Sequence, residues 1–472
     1  MTKCDLLQLN DRSILHEASL LDGEWVQAQA GKTFDVEGKT EQSRKNPGSG
    51  QVFANCPTNE VADVDRYVTS SQKAFESYRK ENPRTRAKIL LKWHELINAR
   101  EDIAKIMVYE TGKPMTEALG EVDYALGFAW WFAGEAERIR GSVAQPSISS
   151  RRTFVIKQPI GVSVALVPWN FPVAMIIRKV AAALAAGCSK IVKPSPETPL
   201  SVNALADLAM RARLPAGVLN VISTDNENTP AVSERLCKHP LVRKVTFTGS
   251  TRVGSIVAKH CSEGLKKVTM ELGGNCPFIV FDDGDLEQAL DALMILKWRT
   301  AGQACTHANR MITESTSQKI RVGHGTDPLI TMGPLTTSSG IEKLERHVED
   351  AGYFFEPTII SGMTSEMLTT REEIFGPLLG LYKFEIEEEA VKMANDTSMG
   401  LASYFFTKNV DRTWRLLEDL EAGMIGMNTG NSSCAESPFG GIKQSGYGKE
   451  AGKDVAIEEY LISKTGTLTV EA

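Results

Sequence analysis

At 472 residues, 42% of them hydrophobic, the chain is too long for one compact core and has ample apolar content for two or three packed lobes. A formal charge of -6 without a long Lys/Arg block leaves no basic face for nucleic acid or anionic lipid, and neither nucleic acid nor membrane is expected as a partner. Eight cysteines, Cys4, Cys56, Cys188, Cys237, Cys261, Cys276, Cys305 and Cys434, show no CxxC spacing, so neither a disulfide framework nor a metal site is predicted and a reducing, cytoplasmic location is.

The first twenty residues carry Asp5, Asp11 and Glu17 and lack a long apolar stretch, which predicts neither a secretory signal nor a mitochondrial presequence. Residues 61–135 place Val, Ala and Leu at helical spacing with few breakers and predict helices covering one face of a sheet. Residues 137–158 turn polar and then strand-like over Arg152–Lys157, and the tail Tyr460–Val470 alternates apolar and polar. Two strand-like extensions in need of edges predict a homodimer or homotetramer.

From about 160 to 283, short apolar runs alternate with helical stretches: Val162–Val167, Lys190–Val192, Val218–Ile222, Val242–Phe247, Val268–Leu272 and Phe278–Phe281. This alternation predicts a parallel sheet with crossover helices. Residues 172–187 are rich in Ala, Ile and Val, but Arg178 and Lys179 interrupt them, so a buried helix is expected and not a membrane span. Residues 276–455 form a second alternating segment and a second lobe.

Ligands of parallel sheets sit beyond the carboxyl ends of the strands, where Pro168-Trp169-Asn170, Lys193-Pro194 and Thr248-Gly249 fall. Cys305 follows a Gly302-Gln303-Ala304 turn after the helical run Leu286–Arg299. A loop cysteine can have its thiolate favoured by nearby backbone N–H groups, although the usual fate of a free cysteine is burial as a small apolar residue. Glu271 ends an apolar strand before two glycines, which let a carboxylate project into a cleft; alone it reads as a surface glutamate at a strand end. Asn170 can donate its amide N–H to a developing oxyanion, or simply form the turn before an aromatic-proline pair. Taken together the three predict aldehyde oxidation: a thiolate adds to a carbonyl carbon, a carboxylate activates the water that frees the thioester, and no metal is needed.

Gly249-Ser250-Thr251-Arg252-Val253-Gly254 follows a strand and opens a helix, a turn that offers free N–H groups to a pyrophosphate. It is neither GxGxxG nor a triphosphate loop, so its place in the chain carries the expectation.

These motifs resemble the aldehyde dehydrogenase superfamily over nearly the whole chain. The likeness rests on Pro168-Trp169-Asn170-Phe171-Pro172, Phe247-Thr248-Gly249-Ser250, Glu271-Leu272-Gly273-Gly274, Gly302-Gln303-Ala304-Cys305, Glu373-Ile374-Phe375-Gly376-Pro377 and Pro438-Phe439-Gly440-Gly441. The resemblance implies an α/β fold with a Rossmann-type cofactor domain (1–136 and 159–272), an α/β catalytic domain (273–455) and a small β oligomerisation extension (137–158 and 456–472). It implies Cys305 as nucleophile, Glu271 as base, Asn170 as oxyanion donor, Lys193 and Glu373 as ribose contacts and Phe375 as a wall of the nicotinamide site. Trp169, Ser195, Gly249, Ser250 and Gly254 are the further expected contacts of NAD or NADP.

The closer likeness is to succinate-semialdehyde dehydrogenases, through Met175-Ile176-Ile177-Arg178-Lys179, Lys297-Trp298-Arg299 and Pro438–Gly446. It implies that Arg178, Arg299 and Ser433 hold a substrate carboxylate, which a guanidinium fork can meet at both oxygens; the alternative is a pair of surface arginines. Three departures stand out. His307 occupies the place of a second cysteine two residues after the nucleophile, so an active-site disulfide is not expected. Pro196, with Glu197 beside it, stands where NAD-preferring relatives carry an acid, which leaves NADP open, and Thr224–Pro230 lacks the glycines usual on the adenine side. The second lobe also reads as shortened near 311–322 and 351–352. The expected function is therefore oxidation of a small aldehyde such as succinate semialdehyde, with a catalytically impaired relative acting as a binding or scaffold protein as the alternative. A coenzyme-A-acylating enzyme is disfavoured, because thiol release of the thioester does not need Glu271.

Overall fold

The helical spacing over residues 61–135 resolves into α1 (Val61–Tyr78), α2 (Pro83–Ile97), α3 (Glu101–Thr111) and α4 (Met115–Ala136). Local chemistry sets the breaks. Asn82 accepts from the Thr85 N–H and Pro83 takes the first helical position, where a missing N–H costs nothing; Gly112 ends α3 in the left-handed region at φ +75°. The computed structural model describes residues 7–37, 52–311, 332–345, 356–452 and 454–471.

Five parallel strands follow, β1 (Val162–Leu166), β2 (Ser189–Lys193), β3 (Leu219–Val221), β4 (Val242–Thr248) and β5 (Lys267–Glu271), in the spatial order β3-β2-β1-β4-β5. The order reverses between β1 and β4, the point at which a doubly wound sheet opens a crevice at its carboxyl ends. Every residue of β1 and β2 is buried, as a sheet covered on both faces requires. Antiparallel strands close the edges: Ser19–Leu21 lies against β3 and Gly446–Tyr447 against β5.

The helices α5 (Pro172–Ala186), α6 (Pro199–Arg211), α7 (Thr229–Lys238) and α8 (Thr251–Ser262) complete the crossovers. The first helical stretch does not cover a single face as its sequence suggested. Val64, Tyr67 and Val68 of α1 pack with α7 and α8, whereas α2 to α4 pack with α5 and α6 in a separate cluster. Every residue of α5 is buried, and among the described residues no helix is long and apolar enough to cross a membrane.

The apolar run near Phe278 leaves this sheet. As β6 (Cys276–Val280) it is an interior strand of a second, all-parallel sheet with Ala308–Met311, Thr358–Ile360, Leu378–Leu381, Ala402–Phe406 and Met424–Met427. Periodicity marks such a run as buried without saying which sheet receives it. The strand-like extensions find each other: Arg151–Pro159 pairs with Ser142–Ala144 on one side and Leu461–Thr469 on the other. The expected shortenings near 311–322 and 351–352 lie outside the described residues, apart from Met311 at a strand end.

Candidate active site

Three separate elements bring the reacting groups together. Asn170 follows β1, Glu271 ends β5, and Cys305 lies beyond α9 (Leu286–Trp298). All three line one cavity of about 800 Å³ at the carboxyl ends of the first sheet, together with Trp169, Lys193, Ser195, Gly249, Ser250, Glu373 and Phe375. That size lies within the range of small-molecule and cofactor sites.

The turn before Cys305 is strained. Thr300 and Ala301 both adopt left-handed backbone, at φ +52° and +50°, and Gly302 follows at +72°; for a residue with a Cβ such geometry costs on the order of 1–3 kcal/mol and persists only where its surroundings hold it. Gln303 anchors the turn, donating to the Thr300 carbonyl at 3.0 Å and accepting from the Thr336 N–H at 3.0 Å. Asn170 Nδ2 donates to the Gln303 carbonyl at 2.9 Å, which joins the β1 turn to the cysteine loop.

Burial pushes the Cys305 thiol up, with Glu373 and Glu271 adding to the effect, so it needs a base to ionise. Burial also raises Glu271 well above the ordinary carboxylate range, and Glu450 adds to it against Arg178 and Lys179. Among the described residues neither Glu271 oxygen has a hydrogen-bond partner. A buried carboxyl with raised proton affinity is suited to accept a proton near neutral pH. A Cβ at Gly440 (φ +154°) would meet Glu271 Oε1 at 2.8 Å, so glycine there makes room for the carboxylate.

A dinucleotide fits the rest of the cavity. Lys193 Nζ donates to its neighbour's carbonyl at 2.9 Å, leaving N–H capacity for hydroxyls, and burial lowers its pKa to about 8. Glu373 uses Oε1 on the Gly274 N–H at 3.0 Å. Ser250 caps α8, whose first turn faces the cavity, and Trp169 meets Phe375 edge-on at 5.8 Å. Gly254 is a correction, since it does not line this cavity. A Cβ there would meet Leu272 Cδ2 at 2.3 Å, so its glycine permits close helix packing. Beside Pro196, Glu197 lines the cavity, accepts from Ser195 Oγ and lies 3.3 Å from Asn226 Nδ2.

The expected substrate contacts line a different region. Arg178 is fully buried, lies 3.0 Å from Glu450 Oε2 and stacks at 4.0 Å over Phe439, so it is not a surface arginine. Its Nε and Nη1 have no hydrogen-bond partner among the described residues. Burial would raise the Glu450 pKa, but Lys179 and Arg178 outweigh it and hold the carboxyl at about 2. Arg299 is exposed and lies 5.4 Å over the Phe171 ring. Ser433 is hydrogen-bonded to the Tyr124 hydroxyl, and Tyr124 packs edge-on against Phe128 beneath Arg178.

Sequence reasoning missed Glu450, which carries no motif of its own, and Cys276. His307 does occupy the second cysteine's place, yet a thiol approaches from β6: Cys276 Sγ donates to the Cys305 carbonyl at 3.4 Å.

The chain resembles known proteins over nearly its whole length. The profile described as the aldehyde dehydrogenase family matches residues 34–351 and 347–465. A 3-sulfolactaldehyde dehydrogenase of Pseudomonas putida is 43% identical over 487 residues, covering 97% of this chain and 98% of that protein. An NADP(+) succinate-semialdehyde dehydrogenase of Schizosaccharomyces pombe is 44% identical over 496 residues, covering 98% and 97%. The crystal structure of a succinate-semialdehyde dehydrogenase from Burkholderia pseudomallei superposes with a TM-score of 0.93 at 39% identity, covering 98% of this chain and all of that one. Both sequence matches run over more positions than the 472 residues of the chain, so each relative carries residues that this one lacks.

Proposed function

The chain belongs to the aldehyde dehydrogenase family and is an NAD(P)-dependent aldehyde dehydrogenase, and from that premise we propose that it oxidises a small aldehyde bearing an anionic group at its far end. The observation that carries the reading is the convergence of Cys305, Glu271 and Asn170 on one cavity with Lys193 and Glu373.

In this reading Glu271 takes the proton of the Cys305 thiol, directly or through water, and the thiolate adds to the aldehyde carbon. The Asn170 side-chain amide has a second N–H beyond the one given to Gln303, and it and the Cys305 backbone N–H receive the oxyanion. When bound, NAD(P)+ takes up the hydride that the oxidation releases. Glu271 then gives that proton up to solvent and, ionised again, deprotonates a water that attacks the Cys305 thioester; the acid leaves and the thiolate takes the proton back from Glu271. Lys193 and Glu373 are read as ribose contacts and Phe375 as the wall beside the nicotinamide. Arg299 at the mouth and Arg178 within are read as holding the distal anion with Ser433. The relatives named for a sulfonated and a carboxylated aldehyde support that choice. The second reading, an impaired binding or scaffold protein, draws no support from them.

We read the first sheet with its helices (1–136 and 159–272) as the cofactor domain and 273–455 as the catalytic domain, although Gly446–Tyr447 crosses to the first sheet. The three-stranded extension, which exposes Val143, Ile156, Ile462 and Leu468, is read as the surface that joins copies into a homodimer or homotetramer. The seven described cysteines are all free, which supports a cytoplasmic location.

Reduced-nicotinamide absorbance on mixing the protein with succinate semialdehyde, a sulfonated analogue or an uncharged aldehyde of similar length, with NAD+ or NADP+, tests the reading. Cys305-dependent turnover that prefers the anionic aldehydes is expected. Equal turnover of all three would remove the anion from it, and silence of a folded protein across the panel would favour the binding-protein alternative.

A further inference from the structure

One stripe of α4 touches the cysteine loop, the Asn170 turn with the start of α5, and Ser433. Glu117, Glu121, Tyr124 and Phe128 fall four, three and four residues apart, which places them on one helical face. A stripe turned into a protein interior is ordinarily apolar; this one carries two carboxylates and a hydroxyl.

Each polar group grips a different segment. Glu117 Oε2 accepts the Thr300 N–H at 2.8 Å, the first N–H of the strained left-handed pair before Cys305. Glu121 Oε1 accepts the N–H groups of Val173 and Ala174, at 2.9 and 3.1 Å, in the first turn of α5 just beyond Asn170. Its other oxygen pairs with Lys113, buried like itself, and Lys113 Nζ donates to the Asn170 carbonyl at 2.9 Å and lies 4.8 Å over the Phe171 ring. Tyr124 meets Ser433, and Phe128 lies under Arg178.

Burying carboxylates is costly unless charge and hydrogen bonds compensate them, and a helix held only by packing has no need of them here. The left-handed backbone at Thr300 and Ala301 does need a holder, and Asn170 already bonds to Gln303 in the same loop. We propose that α4 is a positioning element for the reaction: Glu117 sets the cysteine loop, and Glu121 with Lys113 sets the Asn170 turn, so that one rigid helix fixes the register of nucleophile and oxyanion donor. The proposal rests on the roles read for Cys305 and Asn170 above.

The test compares Glu117→Ala and Glu117→Gln with the wild-type protein by the rate at which iodoacetamide alkylates Cys305, read by mass spectrometry, and by kcat and KM. Alkylation needs no aldehyde, so it reports on the loop even where the substrate reading fails. Glu117→Ala is expected to slow alkylation and to lower kcat about tenfold to a hundredfold, the scale of a small misplacement of a reacting group, with little change in KM. Glu117→Gln, whose amide oxygen still accepts the Thr300 N–H, is expected to recover most of both. If Glu117→Ala does not fold, Glu117→Asp, one methylene short of that N–H, takes its place. Lys113→Met with Glu121→Gln, which leaves no buried charge alone, is expected to lower kcat while alkylation stays at the wild-type rate. Wild-type alkylation in the folded Glu117→Ala or Glu117→Asp protein overturns the proposal. So does equal loss in Glu117→Ala and Glu117→Gln, which would mark a merely structural carboxylate.

Discussion

The cavity that Cys305 lines and the cluster around Arg178 are built differently. The wide cavity is made from strand ends and the turns directly after them, so its lining comes in short consecutive runs such as Pro168–Asn170, Ser195–Glu197 and Glu271–Gly273. The other region is assembled from single side chains on α4, α5 and distant loops, with Arg178, Arg299 and Ser433 set among Tyr124, Phe128, Phe171 and Phe439. A crevice formed by backbone ends constrains a stretch of sequence, whereas a side-chain cluster constrains isolated positions. The first kind of site leaves a motif and the second does not.

The largest effect expected is in the cavity. Cys305→Ala should drop turnover to background while fluorescence titration still detects NAD(P)+ binding; retained turnover would exclude Cys305 as the nucleophile. Glu271→Gln should slow the first release of reduced cofactor and lower the steady state by about 10² to 10⁴, seen by stopped flow, and an unchanged steady state would exclude it as the base.

The two arginines should separate from each other. Arg178→Ala leaves Glu450 with Lys179 as its remaining cation in a buried site, so it is expected to lower thermal stability, by an amount approaching the roughly 3–5 kcal/mol of a broken buried pair, and also to raise KM for the anionic aldehyde. Arg299→Ala, on an exposed residue, should raise KM for the anionic aldehyde alone, by about 1–3 kcal/mol, as lost charged hydrogen bonds do. Equal thermal stability of the two variants would erase the distinction drawn from their burial.

The pH dependence follows from Glu271, which must be ionised to act as the base. Because burial and then Glu450 raise its pKa, the acid limb of kcat should lie above the ordinary carboxylate range, with activity growing as pH rises through the raised value. Glu450→Gln removes a like charge and frees Lys179 and Arg178 to act on Glu271, so the limb should move to lower pH. A limb that stays in place would uncouple the two carboxyls. The smallest effect is expected at the far end of the cavity: Glu197→Gln should raise kcat/KM with NADP+ relative to NAD+ by a few-fold, about 1 kcal/mol, through loss of repulsion toward a 2'-phosphate.

Much of the first sheet was legible because strands buried on both faces read as apolar runs and their ends carry turn residues; β1 to β5 fall within a residue or two of the runs that announced them. The strand β6 was counted both among the runs of the first sheet and within the second lobe, since an apolar run says nothing about its neighbours. Gly254 sat in the expected loop yet serves helix packing, because glycine answers to any close approach and not only to a ligand's.

The sequence by itself marked the candidate reacting groups, for Asn170 and Cys305 lie in turns and Glu271 at a strand end whose local chemistry is readable from their neighbours. Only the tertiary structure decided how those turns are held. The bond from Thr300 to Glu117 spans 183 residues and the pairing of Lys179 with Glu450 spans 271. Such contacts arise from packing across the whole chain, and no local period or motif encodes the partner of a buried charge.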